Sequence, residues 1–432
     1  MRVFIGLTEV AGVFGNLAKG FREIGIETTV ADLFTHPFQY TESVQGRDRL
    51  VDLHRSFLER RTAAEARGSW IGLWWAYLQK SFVLMILLRA VVTCDTFIFS
   101  SNTTFFRYWD LPILRLLRKR IVFVFTGSDH RAPYLYGGSF ESLDDESLDR
   151  CADEARQIKE RLRRIEAHAH FIVGHHLSAH LHERPIVPFP LLGFPSWTED
   201  DLPAVVERTG EGAVRIVHAP SRPRQKGTVE IRHAIDVLRA KGHAIDFIEL
   251  VDVPNQVVLE ELARCDFVVD ELYSDARMAG LATEAASLGK PSVVGGYACD
   301  DLLAIDGIYP PADFPPVQFC HPDRIEEAIE QLISDVPYRL ELGRRARAFV
   351  SAKWDPAAVA GRYVRMLEGR FPPASLFDPR QVRYLAGTGM PESLARSGIR
   401  CLIERSGVDA LCLSDKPSME AAFVAFSKGE DA

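Results

Sequence analysis

The chain reads as an α/β protein made of two doubly wound, parallel-sheet halves followed by a helical C-terminal extension. Three observations predict this. Short apolar runs alternate with longer amphipathic segments through the first half, the pattern of parallel strands covered by helices on both faces. A proline-rich stretch between Arg184 and Pro203 interrupts the alternation, which starts again at Val214. A length of 432 residues also exceeds one ordinary core, so two large domains are expected.

In order along the chain, Arg2–Leu7 is predicted as a strand, Phe14–Ile24 as a helix and Thr28–Leu33 as a second strand. Further strands are expected at Thr96–Ser100, Ile121–Phe125 and Phe171–Val173, with a long charged helix near Glu146–Glu166. After the proline-rich linker come strand Val214–His218, helix Gly227–Ala240, strand Asp246–Leu250 and helix Gln256–Arg264. Strand Phe267–Asp270, helix Leu281–Leu288 and strand Ser292–Val294 complete the second series, and beyond Asp355 the pattern is helical. The predicted domains are 1–195, 205–353 and a helical extension 354–432 packing back on the body. Two such halves place a ligand between the C-terminal edges of their strands.

Composition narrows the function. A formal net charge of -8 argues against coating nucleic acid, because phosphate backbones select basic surfaces. Seven scattered cysteines with no close pair predict reduced thiols, and MRVFIGLTEV enters a strand at once, without the basic start of a secretory signal. Both features predict a cytoplasmic protein. Trp70–Val92 approaches a membrane span in length, but Gln79 and Lys80 sit at its centre, where hydrocarbon would cost several kcal/mol. A buried helix is one reading. A peripheral contact with the inner membrane face, with Trp70, Trp74 and Trp75 at the interface, is the other.

The segment HAPSRPRQKGT, His218 to Thr228, carries the strongest chemical signal. A strand runs into a short loop with Arg222, Arg224 and Lys226, and a helix opens at Gly227. Free backbone N–H groups, the helix dipole and three cations suit a diphosphate there. The GxxxxGK[ST] pattern of nucleoside-triphosphate hydrolysis is absent. In the first half, Gly12 and Gly15 precede a helix and let a ligand approach the backbone, in the acceptor or cleft loop. FTGSDHR places Ser128, Asp129, His130 and Arg131 at the end of a strand, where α/β catalysis usually sits. Asp129 or His130 is the candidate base or acceptor-orienting group. Six histidines fall in HAHFIVGHHLSAHLH, where His168 and His170 would share a strand face and His176 and His180 lie one helical turn apart. No acidic or cysteine partner completes a metal motif, so no metal is expected.

HAPS…KGT, then CDFVVDEL, then LATEAASLGKPSVV together resemble the donor-binding domain of family 4 glycosyltransferases of the GT-B fold. The resemblance implies two Rossmann-like domains facing a central cleft and transfer of a sugar from a nucleoside-diphosphate sugar to an acceptor hydroxyl. It implies Lys226, with Arg222 or Arg224, as diphosphate ligands, and Glu284 as the acceptor for the ribose hydroxyls. Asp270 and Glu271 end a strand nearby, where either one faces the cleft as a donor-site residue or stands as a loop carboxylate in water. FTGSDHR resembles the GSD-(x)-R segment that closes a strand at the cleft in that family. The resemblance also implies retention of anomeric configuration and no cofactor. A lipid-linked acceptor goes with a membrane contact of Trp70–Val92, and a saccharide or small-molecule acceptor with a buried helix there. One departure stands out. Ala276 occupies the position of a paired glutamate that contacts the donor sugar in many members. That substitution keeps two alternatives in view: a catalytically degenerate binding or partner protein, and a sugar-nucleotide 2-epimerase of the same architecture.

Overall fold

The computed structural model describes residues 1–34, 49–66, 71–100, 103–140, 142–206 and 212–429. Trp70 lies outside the described residues. The first sheet is six-stranded, in the order β2-β1-β3-β4-β5-β6. Its strands are β1 (Arg2–Thr8), β2 (Glu27–Phe34), β3 (Thr96–Ser100), β4 (Arg120–Val124), β5 (Phe171–Gly174) and the short β6 (Val187–Pro188). The second is five-stranded, in the order β11-β10-β9-β7-β8. It comprises β7 (Val214–His218), β8 (Ile245–Glu249), β9 (Phe267–Val269), β10 (Ser292–Gly295) and β11 (Gln318–Cys320). The pairings β1–β2, β1–β3, β3–β4 and β4–β5 are parallel, as are all four in the second sheet.

Parallel strands buried on both faces need apolar side chains at nearly every position. RVFIGLT and TFIFS supply them, and β3 is buried throughout. Phenylalanines form the spine of the first sheet: Phe97 lies 5.4 Å from Phe4, and Phe99 lies 5.2 Å from Phe123. In the second sheet the pleat sends neighbouring residues to opposite faces. Ile216 joins a core with Ile231, Leu238, Ile329 and Leu332, whereas Val217 packs with Leu259, Leu262 and Leu288. Helices Thr228–Ala240 and Ile325–Ser334 therefore cover one face, and Asn255–Arg264 and Gly280–Ser287 the other. That is a doubly wound sheet.

The residues form two compact units that interleave along the chain. One comprises Met1–Thr126, Arg164–Val173 and Pro356–Phe371; the other comprises Gly127–Arg163, Gly174–Asp355 and Pro372–Ala432. In the first unit, helix Pro356–Leu367 packs on helix Val13–Glu23, with a Cβ at Gly20 meeting the Pro356 carbonyl oxygen at 1.9 Å. Only glycine allows that approach. In the second unit, helix Glu392–Ser406 packs on Pro417–Lys428.

The predicted elements fall close to their places. Strand β11 and helices Asp110–Leu116, Ile325–Ser334 and Val336–Lys353 have no predicted counterpart, and three further differences have a local cause. Arg184–Pro203 is not wholly irregular: Val187–Pro188 forms β6 and Phe189–Leu192 a helical turn, with prolines where no backbone donor is needed. The helix expected from Gly227 starts at Thr228, because Gly227 is left-handed at φ +71° and ends a separate turn, Pro223–Lys226. Helix Arg49–Ala66 was not legible, having no clean apolar stripe. It packs on helix Ile71–Thr93, where Phe57 stacks on Trp75 and Phe82, and His54 meets Gln79 at 3.2 Å. No helix among the described residues is long and apolar enough to cross a membrane.

Candidate functional site

Five segments of the second unit converge at the end of β7. His218 closes the strand: its Nδ1 lies 2.8 Å from the Val269 carbonyl and its Nε2 lies 2.8 Å from Thr228 Oγ1. A carbonyl only accepts, so Nδ1 carries the proton and Nε2 accepts from Thr228. Burial pushes His218 down to about 4, so the ring is neutral and works as a clamp between strand and helix. The following turn, Pro223–Lys226, leads into helix Thr228–Ala240, whose first residue is capped by no side chain. A Cβ on Gly227 would meet Leu272 Cβ at 2.5 Å, so this turn needs glycine for both space and handedness.

Of the predicted donor residues, Lys226 and Asp270 are brought together here, with Glu271 beside them. Lys226 Nζ lies 2.6 Å from Glu271 and 3.6 Å from Asp270, at the end of β9. Burial works against the ammonium, but the two carboxylates outweigh it and hold Lys226 above its ordinary range. Burial pushes Asp270 up to about 6, despite Lys226. Arg222 donates to Tyr136 Oη at 2.7 Å, Tyr136 donates on to Gln225 at 2.8 Å, and Arg224 reaches the Phe140 carbonyl at 3.2 Å. Glu284 is buried on helix Gly280–Ser287, accepts from Asn255 at 2.8 Å, and is pushed up to about 7 chiefly by burial. Such a carboxyl gains from hydroxyl donors that replace the lost water.

FTGSDHR turns into the same unit. Ser128 is exposed, and Asp129 accepts from the Gly127 amide at 3.0 Å while its carbonyl accepts from Arg161 at 2.8 Å. His130 is buried 3.1 Å from His182, and burial together with His182 and Arg131 holds it well below its ordinary value. Arg131 pairs with Asp275 at 2.6 Å, beside Ala276, and Ser178 donates to the same oxygen at 2.5 Å. Burial would raise Asp275, but Arg131, His175 and Ser178 hold it far below the carboxylate range. Two more of these histidines make protein contacts: His180 donates to the Tyr384 carbonyl at 2.7 Å, and His170 lies 2.6 Å from Arg115 in the first unit. His176 begins a single 3-10 turn and His170 precedes β5, so neither helix nor strand aligns the histidines as pairs.

Gly12 and Gly15 belong to the first unit, where the helix N-terminus already holds an anion. The Glu9 carboxylate accepts from the amides of Val10 at 2.8 Å, Phe14 at 3.2 Å and Gly15 at 2.7 Å. Burial nonetheless pushes Glu9 up to about 7, with the three amides opposing it.

Sequence reasoning missed the C-terminal strap of the second unit. Thr388 and Gly389 cross the site loops: Gly389 N donates to the Tyr273 carbonyl at 2.8 Å, and Gly137 N to the Thr388 carbonyl at 3.0 Å. The signal was AGTGMP, where Gly387 and Gly389 both adopt positive φ. A Cβ on Gly137 would meet the Gly389 carbonyl oxygen at 1.9 Å. Gly137→Ala is therefore expected to destabilise the protein by about 1–3 kcal/mol and loosen the strap. Urea denaturation checks the first effect, and amide exchange at Gly389 the second.

Fold and site together define an α/β protein with two helix-covered parallel sheets and a basic strand-to-helix turn. Its structural neighbours are GT-B glycosyltransferases. It is similar to a UDP-forming α,α-trehalose-phosphate synthase from Burkholderia xenovorans at 10% identity and TM-score 0.47, covering 85% of this chain and 98% of that one. It is similar to the catalytic domain of starch synthase IV from Arabidopsis thaliana, bound to ADP and acarbose, at 12% identity and TM-score 0.45, with 85% and 98% covered. Anabaena Alr3699/HepE in complex with UDP-glucose is a third, at 13% identity and TM-score 0.43, with 85% and 99% covered. No protein-family model and no curated protein matches the sequence.

Proposed function

We propose that the protein transfers a sugar from a nucleoside-diphosphate sugar to an acceptor hydroxyl, with residues 205–353 as the donor-binding half. One observation supports this most: Lys226, Asp270, Glu271 and Glu284 gather around an uncapped helix start at the end of β7. In this reading the diphosphate takes the place of the carboxylates as partner to Lys226, and Arg222 turns from Tyr136 towards it. Glu284 accepts from the ribose hydroxyls. Departure of the diphosphate develops charge that these cations stabilise more than they stabilise the bound donor, and no metal is assigned to the step. His130, neutral and buried, or Asp129 orients or deprotonates the acceptor, together with Ser128 and Arg131 in the same loop. The Gly12 and Gly15 loop serves the acceptor, whether saccharide, lipid-linked or small molecule. Retention of configuration belongs to the same proposal.

A second reading, a non-catalytic binding protein, is favoured by Ala276 and by the lock of Asp275 on Arg131. The test is thermal stability of the purified protein with UDP, GDP, ADP, CMP and dTDP. At one hundred times its dissociation constant the right nucleotide is expected to add about 2.7 kcal/mol, and Glu284→Ala and Arg222→Ala to lose that gain. If no nucleotide stabilises the wild type, the donor site is wrong. Stabilisation with no turnover of the matching donor across saccharide and lipid acceptors would select the binding reading.

A further inference from the structure

We infer that the exposed face of helices Ile71–Thr93 and Asp110–Leu116 is a docking surface for an anionic lipid bilayer, on which the protein lies without crossing it. On the first helix Trp74, Leu78, Met85, Leu88 and Val92 recur at helical spacing, and all five are exposed. The opposite side of that helix is satisfied within the protein, through Phe82 on Phe57 and Gln79 beside His54. At the second helix, Trp109 just before its first turn, Ile113 and Leu116 follow the same spacing. Exposure reaches 64% at Trp74, 77% at Val92, 80% at Trp109 and 83% at Leu116. Scattered exposed apolar residues are ordinary, but two helical stripes carrying tryptophans are not.

The topology puts both helices on one side of the sheet. In the order β2-β1-β3-β4, the connections β2→β3 and β3→β4 run in the same direction along the sheet. Right-handed crossovers therefore place both helices on the same face.

Charge selects the occupant. Residues 71–93 carry no acid, and residues 107–120 carry only Asp110, which is buried and accepts from the Phe105 and Phe106 amides. Lys80, Arg89, Arg107, Arg115 and Arg118 are all exposed around the stripes, in a chain whose formal net charge is -8. Long cationic side chains beside apolar anchors and interfacial tryptophans match a bilayer surface with anionic headgroups. A second copy fits worse, because a two-fold contact would set these cations against themselves. The inference stands independently of the donor site.

The test is flotation of the full chain with vesicles of phosphatidylcholine alone, or with about one-third phosphatidylglycerol, at low and high salt. Binding is expected to require phosphatidylglycerol and to weaken at high salt. Lys80→Glu with Arg118→Glu is expected to weaken it by at least ~25-fold, at roughly fivefold per cation. Leu88→Asp with Leu116→Asp should abolish it. Thermal midpoints and nucleotide stabilisation should stay at wild-type values in both variants, which separates this surface from the donor site. The inference is overturned if anionic vesicles do not bind, or if both variants bind them as the wild type does. It is equally overturned if the protein is a dimer that both variants dissociate.

Discussion

Lys226→Met is expected to destabilise the protein by about 2–3 kcal/mol at pH 8, because it leaves Glu271 and Asp270 buried without their cation. This falls below the roughly 3–5 kcal/mol of a fully buried broken pair because the Lys226 side chain keeps 22% of its exposure and water reaches it. The effect should depend on pH with a definite sign. Asp270 is already pushed up to about 6 with Lys226 beside it, and loss of the lysine raises it further. A carboxyl whose folded pKa exceeds its unfolded value stabilises in acid and loses that contribution as pH rises. The variant should therefore be nearest the wild type around pH 5 and furthest from it at pH 8. Urea denaturation at both values measures this. Adding Glu271→Gln should recover part of the loss, a coupling of at least ~1 kcal/mol. If the single variant is neutral at both pH values, Lys226 is not held as a buried partner. In the transfer reading the same variant should lower turnover by about 10²–10³, the scale of one lost charge-stabilising donor.

Asp275→Asn carries the other large effect. It removes the partner of a guanidinium that is itself buried, and a loss of about 3–5 kcal/mol at pH 7 is expected. Here the sign is opposite. Asp275 is held far below its ordinary value, so its contribution is complete above the unfolded pKa of about 4 and is lost as pH falls. Wild type and variant should converge in acid and diverge towards neutrality, as equilibrium unfolding across pH would show. Arg131→Lys keeps the charge but not the reach to both Ser178 and Asp275, and should fall between. A gap that stays constant between pH 3 and pH 7 would remove the ion pair from the account.

The surface and site predictions differ in how legible they were. Strand–helix alternation revealed both sheets, because a buried parallel strand has no choice but to be apolar. The Arg222–Gly227 turn was legible for a similar reason: a strand end, three cations and a glycine before a helix form a local pattern. The strap at Gly387–Gly389 was not, because its partners Leu135, Gly137 and Tyr273 lie far away in sequence. The histidine-rich segment was hard to read for a third reason. Its spacing suggests pairs, but the ring partners are the Tyr384 carbonyl, the Ile121 amide, Arg115 and a histidine fifty-two residues distant.

The sequence by itself determined the α/β class, the places of most strands, and the basic turn before helix Thr228–Ala240. These follow from side-chain period and from residues close in the chain. Only the tertiary structure decided that Glu9 fills the first helix N-terminus and that Lys226 is held by two carboxylates. It alone decided that Asp275 is tied to Arg131, and that one face of Ile71–Thr93 stays uncovered while the other is packed. A nearly all-apolar helix reads the same whether its far side meets protein or not. Which side is covered, and which charge meets which, depends on neighbours that folding brings from distant parts of the chain.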